Sequence, residues 1–140
     1  MNIAIEFQAI EEAFDFVSFA RMCEHQAFLD EESGKIYWHS EFGDNEEELP
    51  ADMEYKKYIK IPHKNELGLG KELVLDFAYE LMPNEANEIE SIFRRKGAYS
   101  KFKALLERKG VIDKWYKYEE EAQEKALREW CKVNAINIKG

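Results

Sequence analysis

Residues 93–110, FRRKGAYSKFKALLERKG, interleave positive charge with aromatic rings, a pattern that can bind a polyanion or an acidic protein surface. Residues 94–117 hold nine basic and two acidic residues, whereas residues 1–56 hold 15 acidic and three basic residues. Lys101 and Arg108 are seven residues apart, so they share one face of a helix. Such a cluster can neutralise several phosphates or attract a partner's carboxylates.

The aromatic residues of this region divide into core and surface positions. Phe93 and Phe102 fall on apolar stripes, so we expect them in the core rather than as platforms for stacked bases. In WYKY, residues 115–118, successive side chains of a helix point about 100° apart. We therefore expect Trp115 to be buried and one of the two tyrosines to be partly exposed. The candidate binding surface comprises Arg94, Arg95, Lys96, Tyr99, Lys101, Arg108, Lys109, Tyr116 and Tyr118.

Possible metal ligands occur in the first half of the chain, at Cys23, His25, His39 and His63. None of them has the paired C-x2-C or H-x3-H spacing that indicates zinc, and Cys23 and His25 alternate along one predicted strand. We predict no metal and no cofactor, and we interpret these residues as isolated polar positions. Cys23 and Cys131 are predicted to be reduced and semi-buried, with a disulfide between them as the alternative.

Catalytic motifs are incomplete throughout. The turn LDEESGK lacks the order of a calcium-binding loop, so Asp30 and Glu32 are interpreted as turn and edge-protecting residues. Residues 46–48 are interpreted as a solvated acidic loop. A phosphate-binding loop around Lys71 would need glycine at Asn65 and serine or threonine at Glu72. No catalytic residue is predicted, and an enzyme with dispersed catalytic residues stays an open alternative.

The first part of the chain predicts a helix and a small sheet. The apolar spacing indicates a helix over residues 5–18. Short runs at 24–29 and 35–39 predict two antiparallel strands, joined by a turn in which Gly34 adopts a positive φ. The run KYIKIP, residues 57–62, predicts a third strand.

The remainder predicts four helices, each with an apolar stripe. Pro83 ends the first, and Asn84 is the predicted N-cap of the second, which Gly97 terminates. Gly110 closes the third helix, and the long final helix begins near Ile112.

Length and composition bound the class of protein. The 140 residues fit a single domain, with a sheet-containing part at about 1–62 and a helical part at about 65–138. The predicted fold class is α+β, with an N-terminal helix and a small antiparallel sheet of about three strands, followed by a bundle of about four helices. The net charge is −9, and no segment has the character of an export signal or a membrane span, so we expect a soluble cytoplasmic protein.

The segment GAYSKFKALLERKGVIDKWYKYEEEAQEKALREW carries a resemblance to a known family. Its Gly-Ala-aromatic-x-x-Phe-Lys motif at 97–103, the Trp-Tyr pair at 115–116 and the later Trp130 resemble the pattern of uncharacterised-protein family 0158, a family of small bacterial proteins. The likeness extends weakly to AFLDEESGKIYW, YIKIP and DFAYELM, although Tyr99 stands where phenylalanine is commoner. It implies a bacterial origin and a shared fold, and it implies no catalytic residues.

The sequence therefore predicts a non-enzymatic protein-binding or regulatory module that contacts a protein partner through the basic, tyrosine-bearing surface or the acidic loop. The alternative is a nucleic-acid-associated protein that uses residues 94–117. The oligomeric state stays open.

Overall fold

The computed structural model describes residues 3–41, 43, 45, 48–52 and 57–140. The chain divides into two compact units, one formed by residues up to 67 together with 126–140, and the other by residues 68–125. Helices and a small antiparallel sheet are both present, so the predicted α+β class is confirmed. That the chain forms a single domain stays a prediction.

The first unit contains a helix, a three-stranded sheet and a pair of very short strands. Its elements are β1 (Ile5–Glu6), α1 (Phe7–Phe19), β2 (His25–Leu29), β3 (Ile36–Ser40), β4 (Ile59–Lys60), a 3-10 turn (Lys64–Leu67) and β5 (Ile138–Lys139). The sheet order is β3-β2-β4 with antiparallel neighbours, while β1 pairs with β5 in parallel. The predicted N-terminal helix, hairpin and third strand are confirmed.

Periodic apolar side chains explain how α1 lies on the sheet. Ile10, Phe14 and Val17 recur at helical spacing and are buried. Ala27 and Leu29 alternate along β2 and are also buried, as expected for a strand with one covered face. The two periodicities together produce the core of this unit.

The hairpin turn between β2 and β3 is held by Asp30. The Asp30 carboxylate accepts the Glu32 N–H at 3.0 Å and the Ser33 hydroxyl at 2.9 Å, and Gly34 adopts a φ of +77°. An aspartate that bonds to its own turn fixes the local backbone, and glycine takes the left-handed conformation without strain. The predicted turn role of Asp30 is thus confirmed.

The second unit is helical. Its elements are α2 (Lys71–Leu81), a 3-10 turn (Pro83–Glu85), α3 (Ala86–Ile92), α4 (Ala98–Arg108) and the first part of α5 (Ile112–Val133), which continues into the first unit. All four predicted helices are present.

Two predicted helix ends differ from the structure. Asn84 is not an N-cap, because the 3-10 turn that begins at Pro83 contains it and α3 starts only at Ala86. Proline favours the first position of a helical turn, so the turn begins before Asn84 can cap it. Gly97 does not terminate α3, which ends at Ile92; with a φ of +74° it directly precedes α4 instead.

The end of α4 follows the sequence prediction. Gly110 has a φ of +71°, its N–H donates to the Glu107 carbonyl at 3.1 Å, and the Val111 N–H donates to the Leu106 carbonyl at 2.9 Å. These two bonds form a Schellman motif, in which glycine takes the left-handed position. The chain therefore turns sharply from α4 into α5.

Three interlocked aromatic rings form the centre of the second unit. The Phe102 ring contacts the Trp115 ring edge to face at 5.1 Å, and Phe77 contacts Trp115 at 5.2 Å and Phe102 at 6.4 Å. All three side chains are at most 1% exposed. The Trp115 Nε1–H has no hydrogen-bond partner among the described residues.

We predict that Phe102→Ala lowers the free energy of unfolding by about 3–5 kcal/mol, because it leaves a cavity between two other rings. Ser100→Ala is the matched control on an exposed position of the same helix and should change stability by about 0.5 kcal/mol or less. Urea unfolding measures both. Equal effects of the two substitutions would show that this ring is not central to the core.

Candidate functional site

The six cations predicted for the binding surface lie on neighbouring parts of the helical unit. We call them the basic surface: Arg94, Arg95, Lys96, Lys101, Arg108 and Lys109. The first three lie in the connection between α3 and α4, the next two lie on α4, and the last is its C-cap residue. All six are exposed.

The basic surface is largely unpaired. Lys109 Nζ lies 3.6 Å from Glu85 Oε1. Across the residues that the structure describes, the other five cations have no carboxylate within the 4.0 Å of a salt bridge. As far as the described residues go, five of the six charges are therefore available to an external anion.

Helix geometry divides the predicted residues between two flanks of α4. At about 100° per residue, Lys101 and Arg108 point within about 20° of each other, whereas Tyr99 and Lys103 lie on the opposite flank. On that second flank the Lys103 ammonium lies 5.8 Å from the centre of the Tyr116 ring. The prediction omitted Lys103, although its i,i+4 spacing from Tyr99 was visible in the sequence.

The Tyr99 ring packs edge to face on the Phe93 ring, with 5.0 Å between the ring centres. This contact covers part of the Tyr99 ring. Burial and then the negative charge of Glu119 raise the pKa of the Tyr99 hydroxyl. Tyr99 thus borders an acidic residue and is 38% exposed.

Tyr118 packs on the aromatic core and contributes less to the predicted binding surface than to that core. Its ring contacts Phe77 at 5.3 Å and Trp115 at 6.4 Å, and its hydroxyl donates to Glu80 at 3.1 Å. Burial raises the pKa of this hydroxyl, and the hydrogen bond and charge of Glu80 add to the rise. Tyr116, which is 46% exposed, is the more accessible neighbour of the two in the WYKY segment.

Both ring nitrogens of His63 have backbone partners, whereas His39 Nε2 lies 3.9 Å from Glu41 Oε1. His63 is buried; its Nδ1 accepts the Asn65 N–H at 3.0 Å, and its Nε2 donates to the Ala20 carbonyl at 2.8 Å. A backbone N–H can only donate, so this arrangement fixes the neutral tautomer. His63 therefore ties the chain after β4 to the end of α1.

Cys23 and His25 do not alternate along one strand, contrary to the sequence prediction. Cys23 lies in a turn with a φ of +74°, and β2 begins only at His25. The His25 ring stacks on Phe16 at 4.4 Å, and its Nδ1 lies 2.9 Å from the Phe16 carbonyl oxygen. The described residues contain no group of three or more histidine, cysteine or acidic side chains placed to hold a metal ion.

The cysteines are both free and differ in environment. Cys131 is buried and Cys23 is exposed, so the predicted semi-buried state fits neither side chain. Burial raises the pKa of the Cys131 thiol to about 11, with a smaller opposing contribution from Arg128.

The acidic loop lies largely outside the described residues, since Glu46 and Glu47 are not among them. Among the helices of the described chain, none has the combined length and apolar character that a membrane span requires.

Residues 3–139 match the family model of an uncharacterised protein family, UPF0158. No match to the chain was found among curated proteins or among solved structures.

We predict that Tyr118→Ala lowers the free energy of unfolding by about 2 kcal/mol, because its ring covers two core rings. Tyr116 lies two residues earlier on an exposed face of the same helix. Tyr116→Ala should therefore lower the free energy of unfolding by less than about 1 kcal/mol. Thermal unfolding followed by circular dichroism compares them. A larger loss for Tyr116→Ala would reverse our assignment of the two rings.

We expect iodoacetamide at about pH 8 to alkylate Cys23 in the folded protein, and Cys131 only after unfolding in urea. The raised pKa means that the folded chain holds the Cys131 proton more tightly than the unfolded chain does. This thiol therefore has no effect on stability well below about pH 8.5 and lowers stability as the pH rises above that value. Mass spectrometry of tryptic peptides measures the labelling. Equal labelling rates in the folded protein would contradict the burial of Cys131.

Proposed function

The chain belongs to the uncharacterised protein family UPF0158, and we propose that it acts as a non-enzymatic protein-binding or regulatory module. Its partner is a protein that presents carboxylates to the basic surface. We also propose that it acts in the bacterial cytoplasm. The family brings no established activity, so the support comes from the surface itself.

Five cations of the basic surface that lack a carboxylate partner among the described residues carry this proposal. Five exposed cations lie between residues 94 and 108. Among the residues that the structure describes, no carboxylate is close enough to form a salt bridge with any of the five. Like charges at this density repel one another, and an acidic partner relieves that repulsion. Exposed Tyr116 beside Lys103 adds an amphipathic ring of the kind enriched at protein interfaces.

Features of the same region make nucleic acid the weaker candidate. The Phe102 ring is fully buried, so it offers no face for a base to stack on. Glu107 is exposed on α4 between the two flanks, and Glu119 lies beside Tyr99. A phosphate backbone carries a negative charge at every nucleotide and would bring some of these charges against Glu107 and Glu119, whereas a protein surface can place its carboxylates only opposite the cations.

The first experiment titrates a fluorescein-labelled oligoglutamate with the protein and its charge-reversal variants. The triple variant Arg94→Glu, Arg95→Glu, Lys101→Glu should bind about 10-fold or more weakly than the unmodified chain. The control Lys57→Glu, Lys60→Glu, Lys132→Glu changes the net charge equally at exposed positions of the other unit and should lose less than about 3-fold. Equal losses would mean that net charge alone drives binding and would sink the proposal.

Affinity capture from a bacterial lysate with the same three proteins identifies the partner. A protein retained by the unmodified chain and the control variant, and lost with the triple variant, is the expected result. Labelled RNA and DNA are titrated in parallel at about 50 and 200 mM salt. Tight, salt-sensitive RNA or DNA binding that the triple variant abolishes would replace the protein-binding proposal with the nucleic-acid one.

A further inference from the structure

Within the part of the chain that the structure describes, no strand pairs with the outer edge of β3 in the three-stranded sheet. In the order β3-β2-β4, β3 has β2 as its neighbour on one side. The Asp30 N–H donates to the Lys35 carbonyl at 2.9 Å, and the Glu41 N–H donates to the Glu24 carbonyl at 2.8 Å. Since bonded positions alternate along an antiparallel ladder, the odd-numbered residues of β3 bond to β2.

The even-numbered residues of β3 consequently direct their peptide groups away from β2. At Ser40 these groups are occupied, because its N–H donates to Asn45 Oδ1 at 2.7 Å and its carbonyl accepts from Asn45 Nδ2 at 3.2 Å. At Ile36 and Trp38 no strand of the described chain pairs on the outer side. The Asn45 carboxamide has the donor and acceptor of a peptide group, so at Ser40 it makes the two hydrogen bonds that an added strand would make.

Exposed rings border the open edge. Trp38 is opposite Ala27 and shares its face of the sheet, which α1 covers. The Phe16 ring lies 4.8 Å from the Trp38 ring, and Phe19, on the next turn of α1, is 88% exposed. A side chain from an added strand would contact Trp38 on this face, so backbone pairing and apolar contact coincide here.

Charge decides which occupant fits the edge. The described residues from 30 to 52, which include β3 and the chain on both sides of it, contain six acidic residues and one basic residue, and Glu41 directly follows β3. A second copy of the chain would bring two such segments together, and like charges across an interface are unfavourable. A basic extended segment has the complementary charge.

We propose that the outer edge of β3 binds an extended, lysine- or arginine-bearing segment of a protein partner as an added strand. Its backbone bonds to the outward peptide groups of Ile36 and Trp38, and one of its apolar side chains packs on Trp38 and Phe16. This is the β-augmentation mode of peptide recognition. The site lies in the first unit and is separate from the basic surface, so it goes beyond the proposed function.

The test uses short acetylated and amidated peptides in which valine alternates with lysine and threonine. Isothermal titration at about 50 mM salt measures affinity, and backbone amide shifts in nitrogen-15 spectra report the position of binding. We expect the lysine peptide to bind with its largest shifts at residues 36–38. The same peptide with N-methylated backbone amides should bind about 10-fold or more weakly, because it lacks the donors of a strand. A glutamate-for-lysine peptide should not bind.

Substitution at Ile36 tests the edge from the other side. Ile36→Pro removes the outward N–H and leaves the bonds to β2 in place, since proline is tolerated where the N–H of an edge strand faces solvent. Ile36→Thr is the matched control, because it keeps the N–H and the β-branched shape. Affinity should fall about 10-fold or more with proline and less than about 3-fold with threonine. The spectra show whether each variant is folded; if the proline variant is not, the comparison of the two lysine peptides decides the question.

Three results would overturn the proposal. The first is an N-methylated peptide with the same affinity as its parent, which would mean that charge alone holds the peptide on the surface. A second such result is that no peptide binds at about 50 mM salt, which would mean that the edge of β3 is guarded against strand pairing and is not a binding site. Concentration-dependent dimers that Ile36→Pro dissociates would make a second copy the occupant. The triple charge-reversal variant at Arg94, Arg95 and Lys101 should bind the lysine peptide with unchanged affinity. Loss of binding at the β3 edge can therefore be told apart from loss of binding at the basic surface.

Discussion

The edge-to-face packing of Phe77, Phe102 and Trp115 is the constraint on which the helical unit depends. Each ring comes from a different helix, and the ring centres lie between 5.1 and 6.4 Å apart. Contacts of this kind are directional, because the edge of one ring must meet the face of another. They therefore fix how α4 is rotated about its axis. With Phe102 directed inward, Lys101 and Arg108 are directed to solvent.

The two surfaces that we assign to recognition use different physical interactions. The basic surface presents side-chain charges, which attract at a distance and lose strength as salt increases. The edge of β3 presents backbone donors and acceptors, which act only at hydrogen-bond distance and require an extended partner. The chain is strongly acidic in residues 1–56 and basic in 94–117, so the two surfaces select partners of opposite charge. Neither requires a reactive group.

Sequence periodicity predicted the elements that depend on local spacing and missed those that depend on distant contacts. The apolar stripe of α4 and the buried positions of Phe102 and Trp115 follow from the helical repeat. The pairing of β1 with β5 joins two-residue strands from opposite ends of the chain, and such short segments have no recognisable pattern. Whether the basic residues are paired was equally invisible, because salt bridges such as that of Lys109 with Glu85 join residues of different elements.

The central claim is that the aromatic core leaves the basic surface exposed, with five of its six cations unpaired by any carboxylate of the described residues. Paramagnetic relaxation of backbone amides by small nitroxide probes of opposite charge measures the local potential residue by residue. Our account predicts that an anionic probe relaxes the amides of residues 94–108 more strongly than a cationic probe of the same size, and that the order reverses along α1. Equal relaxation of residues 94–108 by both probes would contradict it, because it would show that the chain's own acids neutralise these cations.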